Sequence, residues 1–320
     1  MFTVGIDLGG TNIAIGLCDD TLRIVDKIKA RTHRRRSPDD ICADMADLTR
    51  ELIERNGLTP DDIEYVGIAT PGIANTELGV VESACNLPFV SYPLAERFKE
   101  ALPVRRVLIG NDANVAALAE ALVGAASGTS TSVMITIGTG VGGGIILGGK
   151  IFSGGLNYGG AEIGHTVIRV GGRPCACGRR GCLESYCSAT ALGAITAERM
   201  KRLEEKGTPS LMFEIAAADG KVGARTPFKA MKAGDREAKR IIDAYIKNLA
   251  AGITDIIHVF QPEVITIGGG VSNEGDALIE PLRRVVDREQ YTRNNEVKTK
   301  ILRAKLGTDA GIVGAAGLGR

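Results

Sequence analysis

"VGIDLGGTNIAIGL", residues 4–17, decides the fold, because "ITIGTGVGGGIIL" at 135–147 repeats its layout. Each is an apolar strand, a Gly/Thr-rich turn and a second apolar strand, a β-hairpin pattern. Two such hairpins far apart in one chain predict a duplicated α/β domain, with a glycine-lined loop on each lobe facing a common cleft. Chance likeness of Gly-rich turns is the alternative. Neither copy is a Walker A loop, since no Gly-Lys-Ser/Thr follows. Gly138, Gly140 and Gly143 have GxGxxG spacing. "GIIL" after them reads as strand rather than the helix that a dinucleotide fingerprint requires.

The surrounding sequence fits alternating α/β elements. "LRIVDKIKA" extends the first hairpin, and Ser37-Pro38 opens a helix with a cap and an N1 proline. "YVGIATPG" is a strand ending in a turn, and "RRVLIGNDANVAALAEALVGAA" is strand, junction and Ala-rich helix. Later, Ile241, Tyr245, Leu249, Ile253 and Ile257 form one helical stripe after Asp235. "EVITIGGG" is a buried strand, "KTKILRAKLG" a closing strand, and "TDAGIVGAAGLGR" a small-residue helix able to pack back onto another element.

Composition narrows the function. With 320 residues and 44% hydrophobic content the chain can bury the cores of two domains. Net charge is +1, and Trp is absent. Neither a field for nucleic acid nor a base-stacking platform follows. The basic run "RTHRRR" at 31–36 reads as solvated charge, His33 as exposed and His258 as a helix-end residue. No apolar run approaches roughly 18 residues, so no membrane partner is expected and a cytoplasmic setting is. Among 7 cysteines, Cys18, Cys42, Cys85 and Cys187 are scattered as buried hydrophobes would be.

Three glycine loops, 7–12, 138–144 and 268–270, offer bare backbone N–H groups to a polyphosphate. Asp7 at a strand end can hold a magnesium-bound water, with Thr11 donating to phosphate. Asn111-Asp112 is either a helix cap or a cap combined with a base that orients an attacking hydroxyl. "CACGRRGC" at 175–182 asks whether its thiols form a disulfide, a redox pair or a metal clip. Cys175, Cys177 and Cys182 with His165 supply the Cys3His set of a closed, structural zinc site. Clamping that segment positions Glu162 and Glu184 to accept hydrogen bonds from paired hydroxyls, a sugar-recognising chemistry.

Taken together, "DLGGTN", "NDANVAALAE", "GTGVGGG", "AEIGH", "CACGRRGCLE" and "IGGG", in this order over residues 7 to 270, resemble the ROK family, and within it the bacterial glucokinases. The resemblance implies the actin-like ATPase (ribonuclease H-like) fold, α/β with two lobes around a central cleft. On it the lobes are 1–112 plus 309–320, and 113–308 carrying the zinc loop. It implies ATP-dependent phosphorylation of a hexose, glucose at its 6-hydroxyl, with Mg2+ and a structural Zn2+, in a homodimer. Asp112 would take the proton. Gly72, Asn111, Glu162, His165 and Glu184 would join it in binding sugar. ATP would meet Asp7, Gly9, Gly10, Thr11, Asn12, Gly138, Thr139, Gly140, Gly142, Gly268, Gly269 and Gly270. His165, Cys175, Cys177 and Cys182 would ligate zinc. Ala161 stands where many members have Gly, and Phe89 where many glucokinases have Trp; both bear on the sugar's identity. The rivals are a kinase for N-acetylmannosamine, allose or fructose, a silent sugar binder, and a repressor. For the last, "DLGGTN" starting at residue 7 leaves no room for a helix-turn-helix.

Overall fold

The computed structural model describes residues 1–84 and 86–320. Cys85, expected among the buried cysteines, lies outside the described residues. The first sheet is built from β1 (Phe2–Leu8), β2 (Asn12–Cys18), β3 (Ile24–Arg31), β4 (Ile63–Thr70) and β8 (Val107–Asn111), in the order β3-β2-β1-β4-β8. Between β4 and β8, β5 (Ile73–Asn75), β6 (Val80–Ser83) and β7 (Val90–Tyr92) form a small antiparallel sheet that the sequence reading did not anticipate. The second large sheet takes β9 (Ser132–Ile137), β10 (Val141–Leu147), β11 (Lys150–Phe152), β12 (Val264–Gly268) and β13 (Lys300–Arg303), in the order β11-β10-β9-β12-β13. Each sheet thus runs third, second, first, fourth, fifth of its own strands. The first pairs β1, β2 and β3 antiparallel, and β1, β4 and β8 parallel. In the second, β10 and β11 are antiparallel, and β12 and β13 parallel. The two hairpins therefore open duplicated sheets.

Ten helices complete the described chain: α1 (Pro38–Arg55), α2 (Leu94–Ala101), α3 (Asp112–Leu122), α4 (Glu184–Cys187), α5 (Ala189–Glu205), α6 (Leu211–Ala218), α7 (Arg225–Lys232), α8 (Arg236–Phe260), α9 (Asp276–Glu289) and α10 (Ala310–Ala316). Ser37 caps α1 in a full capping box, as its sequence suggested. Among the described residues no helix is long and apolar enough to cross a membrane.

Packing divides the chain into two compact units: Met1–Met134, Gly144–Ala161 and Lys305–Arg320; and Ile135–Gly143 with Glu162–Ala304. The expected boundary at residue 112 differs, because α3 packs with the tail. Gly314 of α10 meets the Val115 backbone so closely that a Cβ would collide with it. The tail helix is the key to the first unit. Gly5 and Gly67, on neighbouring strands, let the α10 backbone lie directly on the sheet, since a Cβ at either would overlap a carbonyl of Ile312 or Ala315. Val4, Ile6, Ile13, Ile15 and Ile68, pointing oppositely or lying deeper, join Met45, Leu52 and Phe98 in the main core. In the second unit the stripe Ile241, Tyr245, Leu249, Ile253 and Ile257 is buried as its spacing implied. Gly252 on α8 leaves room for Leu183, and Tyr245 donates its hydroxyl to the Cys187 carbonyl at 2.9 Å. These contacts seat the end of the cysteine segment on α8.

Candidate functional site

The site residues of the first unit gather where β1 and β8 end and β2 begins. Asn111, not Asp112, caps α3. Its Oδ1 accepts the N–H groups of Ala113 and Asn114 at 3.0 and 3.1 Å, and its Nδ2 donates to the Gly72 carbonyl at 3.0 Å. Asp112 is the first helical residue, with Oδ1 2.8 Å from the Ala113 N–H. The cap and the carboxylate are thereby two residues with two jobs. Gly72 must be glycine: φ is +88°, and a Cβ would strike the Ser83 carbonyl.

Asp7 lies close enough to Asp112 to feel its charge. Burial first, and then Asp112, push the Asp7 carboxyl up to about 6, against a smaller opposing effect from Lys29. Gly311 of α10 sits against this carboxyl, since a Cβ there would overlap Asp7 Cγ. Neither Lys29 nor Gly311 carried a motif that the sequence reading could use. A carboxyl raised from 3.8 to about 6 disfavours folding once ionised. Its cost is absent below about pH 4, grows between roughly pH 4 and 6, and is constant above. We expect Asp7→Asn to stabilise the ligand-free protein by on the order of 2 kcal/mol at pH 7.5 and by almost nothing at pH 4. Urea unfolding at the two pH values checks this, and an equal gain at both would contradict it.

The first two glycine loops are not built for turn handedness. Gly9, Gly10, Gly138 and Gly140 all avoid the left-handed region, so backbone conformation does not demand glycine there. A Cβ on Gly138 would meet nothing within 4 Å. The N–H groups of Gly9 and Gly138 close the loops themselves, donating to the Asn12 and Gly140 carbonyls at 2.9 and 3.0 Å, so a phosphate group would meet the other amides of each loop. Thr32, in the basic run and otherwise unremarked by sequence, fixes the first loop. Its N–H donates to the Thr11 carbonyl at 3.0 Å and its hydroxyl to the Gly9 carbonyl at 2.6 Å. Asn12 opens β2. In the second unit Gly142 lies inside β10 rather than in the loop. Gly269, with φ +78°, packs directly on the backbone of Ile137, the last residue of β9. Thr190 donates its hydroxyl to the Thr139 carbonyl at 2.8 Å.

The cysteine segment folds as a compact knuckle. The Cys175 N–H donates to the Arg179 carbonyl at 2.9 Å, and that of Gly178 to the Cys175 carbonyl at 3.1 Å. Gly178 and Gly181, at φ +87° and +86°, make the turns. His165, Cys175, Cys177 and Cys182 place one ligand atom each within 4.8 Å of all the others, a group that could hold a metal ion. Cys177 Sγ and Cys182 Sγ are 3.7 Å apart, and Cys175 Sγ is 3.6 Å from His165 Nδ1. A tetrahedron with Zn–S bonds of about 2.3 Å has S–S edges of about 3.7 Å, so the spacing fits. The cysteines are free thiols, which leaves the disulfide reading without support. Burial pushes the Cys182 thiol up to about 12, so a cation binding there displaces a proton.

Glu162 is exposed and precedes the short helical turn Ile163–His165. Glu184 begins α4, with Oε2 accepting the Val141 N–H at 3.0 Å. Ala161 holds φ +65°, a conformation in which glycine is free of strain. Phe89, in contrast, is fully buried and stacked on Tyr92 with ring centroids 5.0 Å apart, so it is a core residue. His33 is exposed, and His258 Nε2 accepts the Tyr291 N–H at 2.9 Å.

Comparison with known proteins agrees with this geometry. The model of the ROK family matches residues 3–320. A glucokinase of Thermotoga maritima is 35% identical over 98% of this chain and 96% of its own. One of Halalkalibacterium halodurans is 34% identical over 98% and 94%. The crystal structure of a ROK family glucokinase from Streptomyces griseus, in complex with glucose and AMPPNP, has a TM-score of 0.79 and 32% identity, covering 99% of both chains. The duplicated sheets are those of the actin-like ATPase fold, and the chain belongs to the ROK family.

Proposed function

We propose that this ROK-family sugar kinase transfers the terminal phosphoryl group of ATP to the 6-hydroxyl of glucose. The observation that carries the reading is Asp112 at the first position of α3, with Asn111 as the cap before it, close enough to the partly buried Asp7 to raise its pKa. Asp112 orients the hydroxyl and accepts its proton late, as a loose transition state requires. Asn111 and Gly72, already joined to each other, with Glu162, His165 and Glu184, bind the remaining hydroxyls. His165 turns Nδ1 toward Cys175, which leaves its other nitrogen for a hydroxyl. Amides of Gly10, Thr11, Thr139, Gly140 and Gly269 receive the phosphates, while Gly9 and Gly138, whose N–H groups close the two loops, leave room beside them. Magnesium, held through Asp7, would neutralise phosphate charge, and zinc in the Cys3His cluster would fix the segment bearing Glu162 and Glu184. A homodimer and a cytoplasmic setting belong to the same proposal and rest on the family resemblance.

The test is a coupled ADP-release assay with ATP and magnesium against glucose, mannose, fructose, allose, N-acetylglucosamine and N-acetylmannosamine. Glucose should lead in kcat/KM by at least about tenfold, because hydroxyl-binding sites reject analogues that leave them unpaired. Another leading sugar would overturn the glucose assignment and direct attention to Ala161. Failure of every sugar would overturn the kinase reading.

A further inference from the structure

Glu184 touches two features that the sequence treats separately. Its Oε2 accepts the N–H of Val141 at 3.0 Å, and its Oε1 lies 3.8 Å from Cys175 Sγ. Cys175 in turn stands 3.6 Å from His165 Nδ1, inside the Cys3His cluster. Gly140 is bare where this carboxylate stands, since a Cβ there would overlap Oε2. The glycine loop is fastened to the same stretch at two more points. The Gly138 carbonyl accepts from the Ala189 N–H at 2.8 Å, and the Thr139 carbonyl from the Thr190 hydroxyl at 2.8 Å. Of these three fastenings, Glu184 is the one that also reaches the cysteines.

We infer that Glu184 is a positioning residue that couples the Cys3His cluster to the Gly138–Val141 loop, so that the loop's hold on a nucleotide depends on the occupied cluster. The inference rests on reading that loop as a phosphate cradle. Helix α4 spans only Glu184–Cys187. Its far end is secured by Tyr245 to the Cys187 carbonyl. Its near end has the cluster as neighbour, through Cys175. When the four ligand side chains share one cation, Cys175 is a fixed wall for the carboxylate. When they do not, Cys175 is a mobile thiol whose S–H donates to Oε1 and draws the carboxylate with it, so the buried Val141 N–H loses a steady acceptor. A carboxylate has about four acceptor positions, so the same group retains capacity for a sugar hydroxyl. The further role explains why an acid sits at a point where a sugar ligand alone would not need to face backbone.

The experiment uses the full chain, zinc-loaded or exhaustively exchanged against chelator, with AMP-PNP and magnesium as the probe in calorimetry. Removing zinc from the wild type should weaken AMP-PNP binding by about tenfold, the lower end of effects from groups that orient metal ligands. Glu184→Ala, with zinc at wild-type stoichiometry, should show a similar loss, and zinc removal should then add less than about twofold, the non-additivity of a shared path. Glu184→Gln, whose amide oxygen still accepts the Val141 N–H, should restore most of the affinity. Independently of any nucleotide, hydrogen exchange at the Val141 amide should quicken in zinc-loaded Glu184→Ala and not in Glu184→Gln. Additive losses in the cycle, or unchanged exchange at Val141, would overturn the coupling. If no form binds AMP-PNP, the nucleotide reading of the loop fails, and the exchange measurement still decides whether Glu184 holds Val141.

Discussion

Asp112→Ala should lower kcat by about 10^3-fold, within the roughly 10^2 to 10^4 that a positioned general base contributes, while the glucose dissociation constant changes by less than about threefold. The reason for separating the two lies in the helix start. Were Asp112 the cap, its removal would also unfasten α3 and the loss of rate would be ambiguous. Asn111 supplies both capping bonds and the link to Gly72, so Asp112→Ala leaves the helix start intact. Loss of the Asp112 charge also removes one of the two influences raising the Asp7 pKa, so the variant should melt no lower than the wild type. A coupled assay, glucose calorimetry and a thermal scan on one preparation check all three statements. Turnover within tenfold of the wild type would remove Asp112 from the role of base. A large loss of glucose affinity at unchanged kcat would make it a binding residue instead.

Much of this arrangement was legible in the sequence because it depends on local pattern. Alternation and turn glycines gave the hairpins at 4–17 and 135–147, and their common layout gave the duplicated sheets. Cysteine spacing gave the cluster, since ligands within one short segment need little tertiary information to meet. What was not legible depends on contacts across long separations. Gly311 against Asp7 and Tyr245 on Cys187 join residues with no common local pattern. Thr32 on Gly9 and Thr11 was hidden because the charges around it suggested only a solvated run. The packing units depend on such contacts as well: α3 follows the burial available to it against the small residues of α10, about 200 positions away. Phe89 shows the limit of reading by resemblance: the aromatic position is kept, yet here it faces Tyr92 in the core.

Cys177→Ser should have the second large effect, on metal content and on the integrity of residues 165–183. The substitution isolates ligation from packing, because Cys177 is exposed and its sulfur is not part of the core. Structural zinc sites carry apparent binding free energies of roughly 10–16 kcal/mol. A quarter of that set, about 3 kcal/mol, corresponds to at least about a hundredfold loss of affinity. The wild type should therefore carry about one zinc per chain after dialysis, and Cys177→Ser much less. The knuckle has little of its own to fall back on: Val170 is 98% exposed, and Cys182 and Leu183 are the buried anchors in its second half. Without the cation, its arginine-rich turn at 178–181 should become the first site of tryptic cleavage, before the packed helices of the same unit. Cys187→Ser is the control, since Cys187 is equally a thiol but buried beneath Tyr245 and outside the ligand set. It should lose stability and keep its metal. Elemental analysis with timed proteolysis reads both outcomes. Full zinc content in Cys177→Ser, or a wild type that holds no zinc when purified from replete medium, would show that these four side chains meet for a reason other than metal.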